Sequence, residues 1–325
     1  MVRLMPTDTP ARLAASHPRG CTIVVRRRNG NGFDYLLLHR TIGGPGSSGL
    51  WAWCAPSGVR YETEPVFAAV SRILSESCGI ETADIRPADL GRLQSLWLAT
   101  VPPDTTITVD NVNFDEYEWV PRAEADTRCL PAVNAECFAF TERIPDVDIT
   151  FRATNANDAD TFMEWSKVED IAPWFGGELS AEVASQSADQ DTFTALGGAQ
   201  HMIVIDGHDS GIAQFSRVIK SAPLFGAMGR PDGITCHMLN ADLPLRGKGL
   251  GPQLLWNFLR TVALPQFPEM NWVFAPVRPD DTAGFRQLQK SGFDRGATTD
   301  IVLQRDETVC SVYLPHWFRP RKENA

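Results

Sequence analysis

The chain has 325 residues, 43% of them hydrophobic, enough for two cores of ordinary size. Its formal net charge of −10 argues against nucleic acid as the main partner, because neutralising phosphates needs a basic face. No apolar run reaches the length of a membrane span, so no membrane partner is expected. The seven cysteines contain no C-x-x-C pair and read as reduced thiols of a cytoplasmic protein.

Residues 1–19 carry Arg3 and Arg12 but no sustained apolar stretch, and read as a flexible leader rather than a signal peptide. Residues 21–25 and 35–39 are strand-like and are separated by Arg-Asn-Gly-Asn-Gly turn chemistry. A Gly/Pro/Ser loop follows at 43–49. The spacing of Val66, Val70, Ile73 and Leu74 predicts a helix over 65–78. Strand-like runs return at 94–101 and 117–120, and residues 143–148 have the polarity and proline of a linker.

A second half opens with a strand at 149 and a polar helix start at 155–160. A hairpin follows over 201–215, then a strand at 234–240, a helix at 253–259, a strand at 271–277 and a helix over 281–290. That order is mixed α/β. Between the strand and the helix stands Arg246-Gly247-Lys248-Gly249-Leu250-Gly251-Pro252. Alternate glycines let the backbone curl, Pro252 suits the first helical turn, and a helix N-terminus offers free amides and a positive dipole end. Arg246 and Lys248 add charge. The physical expectation is a pyrophosphate cradle placed directly after a strand.

These motifs resemble the GNAT superfamily of acyl-CoA N-acyltransferases over roughly residues 148–318. Arg246–Gly251 is similar to the family's Arg/Gln-x-x-Gly-x-Gly/Ala cradle, and Val277-Arg-Pro-Asp-Asp281 with Lys290-Ser-Gly-Phe293 to its later signature. The resemblance implies a mixed sheet flanked by helices, with acetyl-CoA or another short acyl-CoA as cofactor. It implies contacts from Met238, Leu239, Arg246, Gly247, Lys248, Gly249, Leu250, Gly251 and Asp281. Trp174-Phe-Gly-Gly-Glu178 and Gly211-Ile-Ala-Gln214-Phe look like the aminoglycoside 6′-N-acetyltransferase branch, which shares its architecture with siderophore hydroxylysine acyltransferases. His237, nine residues before Arg246, stands where the former tend to carry Asp and the latter His.

An imidazole near its ordinary pKa of about 6.5 can take the proton an attacking ammonium must lose, so His237 is the expected general base. Trp174, Glu178 and Gln214 are the expected substrate contacts, the carboxylate and the indole face attracting a cation. Asp281 is expected to cap the last helix. Leu288 falls where many relatives carry a proton-donating Tyr.

The first half resembles a Nudix hydrolase, an α/β/α sandwich, over roughly residues 20–142. Gly58, Glu64, Arg72, Leu74, Glu76, Gly79 and Ile80 match its box without gaps, but Ile73 and Ser77 replace two of its carboxylates. Glu76 is the remaining metal candidate. One carboxylate is a poor Mg²⁺ site, so Mg²⁺ and hydrolysis are not expected there, and Arg72 at i,i+4 offers Glu76 an ion pair. The sequence therefore reads as two domains, 20–142 and 149–325. The leading function is acyl transfer to an amine of a small polar metabolite, an aminoglycoside-like amino sugar or a hydroxylated diamine. Competing readings are a Nudix-type nucleoside diphosphate pyrophosphohydrolase with an appended acyltransferase fold, and a non-catalytic sensor of CoA or nucleotide. A homodimer is compatible with either fold.

Overall fold

The computed structural model describes residues 12–189, 194, 197–218, 233–302 and 305–318. The chain divides into two compact units, one of Met1–Thr141 with His316–Phe318 and the other beginning at Glu142 and running to Pro315. Residues 1–11 and 319–325, assigned above to a leader and to the second domain, lie outside the described residues.

The first unit contains strands β1 (Gly20–Asn29), β2 (Gly32–Arg40), β3 (Trp53–Cys54), β4 (Ser57–Val59), β5 (Asp84–Asp89), β6 (Gln94–Val101) and β7 (Phe114–Pro121). Helices α1 (Val66–Cys78), α2 (Arg122–Arg128) and α3 (Glu136–Glu142) accompany them. The sheet runs β3-β2-β1-β6-β5, with β4 on β1 and β7 on β2. It is mixed, since β1 and β6 pair in parallel while β1 and β2 pair antiparallel. The central strands are buried as continuous apolar runs, Ile23–Val25, Leu36–Leu38 and Leu96–Ala99, as expected where both faces of a sheet are covered. Helix α1 buries Val66, Val70, Ile73 and Leu74 and ends on Gly79, whose left-handed φ of 68° a side chain would resist.

The leader expectation is corrected for residues 12–19. Leu13 bridges Tyr61, and the fully buried Arg60 guanidinium donates to the carbonyls of Pro18 (2.8 Å) and Ser16 (3.1 Å). A buried cation must be bonded on every side, and this one recruits the preceding chain to do so. The C-terminal boundary is also corrected. His316–Phe318 belong to the first unit, where His316 Nε2 bonds the His17 carbonyl at 2.7 Å.

The second unit contains strands β8 (Ile149–Ala153), β9 (Gly198–Ile205), β10 (His208–Arg217), β11 (Gly233–Asn240), β12 (Trp272–Val277), β13 (Asp294–Val302) and β14 (Arg305–Tyr313). Helices α4 (Ala159–Ser166), α5 (Ala172–Phe175) and α6 (Ala181–Ala188) lie between β8 and β9. Helix α7 (Gly251–Phe258) follows the glycine run, continues through a π-helical turn at Leu259–Ala263 and ends in α8 (Leu264–Gln266). Helix α9 (Thr282–Lys290) follows β12, and α10 (Leu314–Trp317) spans the boundary at Pro315. The sheet order is β13-β14-β12-β11-β10-β9-β8.

Two features of this sheet position everything that follows. Alternation sends Met202, Ile212 and Leu239 to one face, against Phe162 and the α4–α6 cluster. His201 and Phe215 go to the other face, against Phe258 of α7. The second feature is a splay. Parallel strands β11 and β12 pair only at Gly233/Trp272, Ile234/Val273 and Thr235/Phe274. From Cys236 to Asn240 no strand pairs with that edge of β11 among the described residues, while β10 stays paired along its other edge through Gly211/Asn240.

Residues 143–148 are not a free spacer. Ile144 and Val147 are buried, and Ile144 packs on the glycine run.

Candidate functional site

A short 3-10 turn, Leu243–Leu245, leads into the glycine run, and the Leu245 amide donates to the Asp242 carboxylate at 3.3 Å. Gly247 and Gly249 then take positive φ values of 74° and 87°, a region costly for any residue with a Cβ. At Gly249 an added Cβ would also stand 2.9 Å from Ile144 Cγ1, and at Gly251 2.7 Å from Gln287 Cγ of α9. The bend therefore needs glycine for conformation at two positions, Gly247 and Gly249, and for close approach at two, Gly249 and Gly251. The amides of Gly247, Gly249, Leu250 and Gly251 donate to no acceptor among the described residues. Pro252 occupies the first turn of α7, as anticipated.

Behind the bend, Gln253 is fully buried, yet neither atom of its side-chain amide is bonded among the described residues. Arg246 is held in place, its Nε donating to the Asn240 carbonyl at 2.7 Å. Asp281 caps α9 by accepting from the Gly284 amide at 2.8 Å. The cap expected of Asp281 is formed. Leu239 likewise buries its side chain in the α4–α6 cluster, leaving only backbone of Met238 and Leu239 to serve the open edge of β11.

On the α4–α6 face lies a cavity of about 500 Å³, within the range of small-molecule sites. Phe162, Trp174, Phe175, Leu179, Val183 and Ile212 supply its apolar wall. The polar part consists of Gln186, Ser187, Gln200, Gln214 and His237. Strand register explains the floor. Gln214 is paired with Gln200 across β9–β10 and with His237 across β10–β11, so the three side chains stand in a row. Gln200 Nε2 donates to the Ser187 carbonyl (2.8 Å) and to Thr154 Oγ1 (3.2 Å), and Gln214 Nε2 donates to Gln200 Oε1.

His237 lies edge-on to Trp174, with ring centroids 6.4 Å apart and an interplanar angle of 76°. Neither imidazole nitrogen is hydrogen-bonded among the described residues. Burial lowers its pKa to about 4, because a charged imidazole loses its hydration there without gaining a counterion. This corrects the expectation of a group titrating near its ordinary value. The ring is neutral throughout the physiological range.

The structure thus brings Trp174, Gln214 and His237 together and leaves Glu178 out. Glu178 is exposed, does not line the cavity, and acts electrostatically on Lys167. Gln200, Gln186 and Ser187 join the site without any signal in the sequence, since only cross-strand register and helix packing place them there. His201, one residue from Gln200, points to the opposite face and sits between Phe215 and Phe258 as a core histidine.

In the first unit, the expected ion pair forms. Arg72 bonds Glu64 Oε1 and Glu76 Oε2, each at 2.7 Å. Ile73 and Ser77, which stand where further carboxylates would be, are both buried, and a Cβ on Gly58 would meet Ile73 Cγ1 at 2.9 Å. No cluster of three or more His, Cys, Asp or Glu suited to a metal is found among the described residues. A Ser-His-Asp arrangement is present, with Ser47 Oγ 3.2 Å from His39 Nε2 and Asp115 Oδ1 2.6 Å from Nδ1. Nε2 also lies 2.9 Å from the Ser47 carbonyl oxygen. Burial opposes the charged form of His39, but the bonds to Asp115 and Ser47 and the nearby carboxylates raise its pKa overall.

No family model and no curated protein matches this sequence. Similar solved structures include the aminoglycoside acetyltransferase AAC(6′)-Ib in complex with ribostamycin and coenzyme A. It is 19% identical, with 55% of this chain and 99% of that one covered at a TM-score of 0.47. A structure of AAC(6′)-Ib with coenzyme A is 20% identical, covering 51% and 95% at 0.45. An acetyltransferase from Salmonella typhimurium that modifies the N-terminal serine of ribosomal protein L7/L12 is 12% identical, covering 51% and 95% at 0.40. These neighbours cover about half of the chain. No helix among the described residues is long and apolar enough to cross a membrane.

Proposed function

We propose that the second unit is an acyl-CoA-dependent N-acyltransferase acting on a small-molecule amine. The observation that carries this reading is the coincidence of the β11–β12 splay with the glycine bend at the N-terminus of α7. An open sheet edge exposes backbone donors and acceptors to an extended, amide-bearing arm, and the bend beside it exposes amides to a diphosphate. Coenzyme A joins those two chemistries in one molecule. Gly247, Gly249, Leu250 and Gly251 would hold its diphosphate through their amides, Lys248 would add charge, and Met238 and Leu239 would meet its arm through backbone.

Bound there, an acyl-CoA supplies a thioester, and transfer forms a C–N bond as the C–S bond breaks. His237, on the strand between the bend and the cavity, accepts the proton the amine loses. Leu288 is buried in α9 and cannot donate to the departing sulfur, so water protonates it. The first unit is proposed to be a Nudix-like domain without hydrolytic activity, its carboxylates Glu64 and Glu76 engaged by Arg72.

Amine-dependent thiol release from acetyl-CoA tests this directly. Release that requires both acetyl-CoA and an amine is expected. Phosphate release from nucleoside diphosphates with Mg²⁺, in place of thiol release, would instead favour hydrolysis by the first unit.

A further inference from the structure

The cavity's chemistry narrows the acceptor, on the assumption that the acyltransferase reading holds. An acceptor site for a polycationic amino sugar needs carboxylates, since each ammonium loses hydration on entry and must regain charge stabilisation. Among the described residues lining the cavity there is no Asp or Glu. Its wall is aromatic and aliphatic, and its polar groups are neutral amides, a hydroxyl and an imidazole without a counterion.

The floor is also oriented. The Ser187 carbonyl can only accept, so it fixes the Gln200 amide nitrogen towards itself and Gln200 Oε1 towards Gln214. Gln214 must then present its nitrogen to Gln200. Its own Oε1 is bonded to nothing among the described residues and is left to receive an N–H, one strand away from His237. The chain of bonds starts at a backbone atom, so the polarity of the floor is built in. Swapping amide O and N would break it at Ser187.

We propose that the acceptor is an uncharged aromatic amine, its ring slotted against Trp174 and Phe175 and its N–H received by Gln214 Oε1. Attack by such an amine gives a far more acidic N–H than attack by an alkylamine, so a weakly basic imidazole suffices to remove it. The aromatic ring replaces water over the apolar wall, which favours entry in proportion to the area covered. Gln200 acts as a positioning residue for Gln214.

The test compares a neutral aromatic amine, p-anisidine, with the amino sugar kanamycin, in wild type and two variants. Both thiol release and calorimetric binding of each amine are read, and acetyl-CoA binding is measured alongside. Wild type is expected to prefer p-anisidine by at least about tenfold in kcat/KM, and to bind it without acetyl-CoA present. Gln186→Glu, at the exposed mouth of the cavity, leaves the floor intact and is expected to swing the p-anisidine/kanamycin ratio by about tenfold towards kanamycin. Gln214→Leu is expected to weaken p-anisidine binding about tenfold with acetyl-CoA binding unchanged. Acetyl-CoA binding with a preference for kanamycin, or with no binding of p-anisidine, overturns the acceptor assignment and leaves the acyltransferase reading standing. Loss of acetyl-CoA binding itself sinks that reading, whereas p-anisidine binding alone would still support the pocket chemistry.

Discussion

Replacing Trp256 by alanine is expected to destabilise the second unit by about 3–5 kcal/mol, the range for removing a large buried aromatic. Trp256 is fully buried on α7, and its Nε1 donates to the Ser291 carbonyl at 3.0 Å, at the end of α9. The loss therefore combines a cavity with an unsatisfied carbonyl. The consequence extends to function. Helix α7 carries the glycine bend at its first residue, and Gly251 touches Gln287 of α9, so the indole fixes the two helices that flank the splay. Chemical denaturation followed by tryptophan fluorescence checks the stability. Trp256→Phe, which keeps most of the volume and loses the hydrogen bond to Ser291, is expected to recover more than half of the loss. Equal effects of the two variants would contradict this account of the contact.

His237→Ala is expected to lower kcat about 10²-fold, the lower end of what a positioned proton acceptor contributes, while leaving KM for acetyl-CoA unchanged. The pH dependence discriminates more sharply than the size of the effect. With its pKa lowered by burial to about 4, the imidazole is already unprotonated at pH 6. Its contribution is therefore constant from pH 6 to pH 9 and is lost only as pH falls through about 4. A wild-type profile with an inflection near pH 6.5 that disappears in the variant would show a solvated histidine instead. His237→Gln separates chemistry from packing, because it keeps a polar side chain beside Gln214 but cannot accept the proton at neutral pH.

What the sequence disclosed divides along a physical line. Features written in local pattern were legible: α1 from its apolar stripe, β6 at 94–101, the β9–β10 hairpin, and the strand–bend–helix of the second unit with Pro252 in its first turn. So were Asp281 as a cap and the Arg72–Glu76 pair, both set by spacing of three or four residues. Strand β5 escaped because Asp-Ile-Arg-Pro-Ala-Asp lacks alternation and carries a proline, tolerated because this strand lies at a sheet edge. Strands β13 and β14 and helices α2 and α3 also went unread.

The site was harder to read than the fold. Trp174, Gln214 and His237 line one cavity, but that cavity also depends on Gln200 and Ser187, which come together only through register and helix packing. Glu178 was selected because its charge suits a cationic acceptor, and the fold turns it outward. Ile144 was read as linker because the residues around it are polar, yet it packs on Gly249 and helps explain why that residue is glycine. Sequence carries a side chain's chemistry well and its direction poorly.

Calorimetric titration of coenzyme A into the intact protein and into Gly249→Ala bears most directly on the proposed cradle. The wild type is expected to give a saturable one-to-one isotherm. Alanine at a φ of 87°, and 2.9 Å from Ile144 Cγ1, is expected to weaken binding by about tenfold or more, from a left-handed strain of roughly 1–2 kcal/mol. No heat with the wild type, or equal affinity in the two proteins, would show that the bend does not hold a diphosphate.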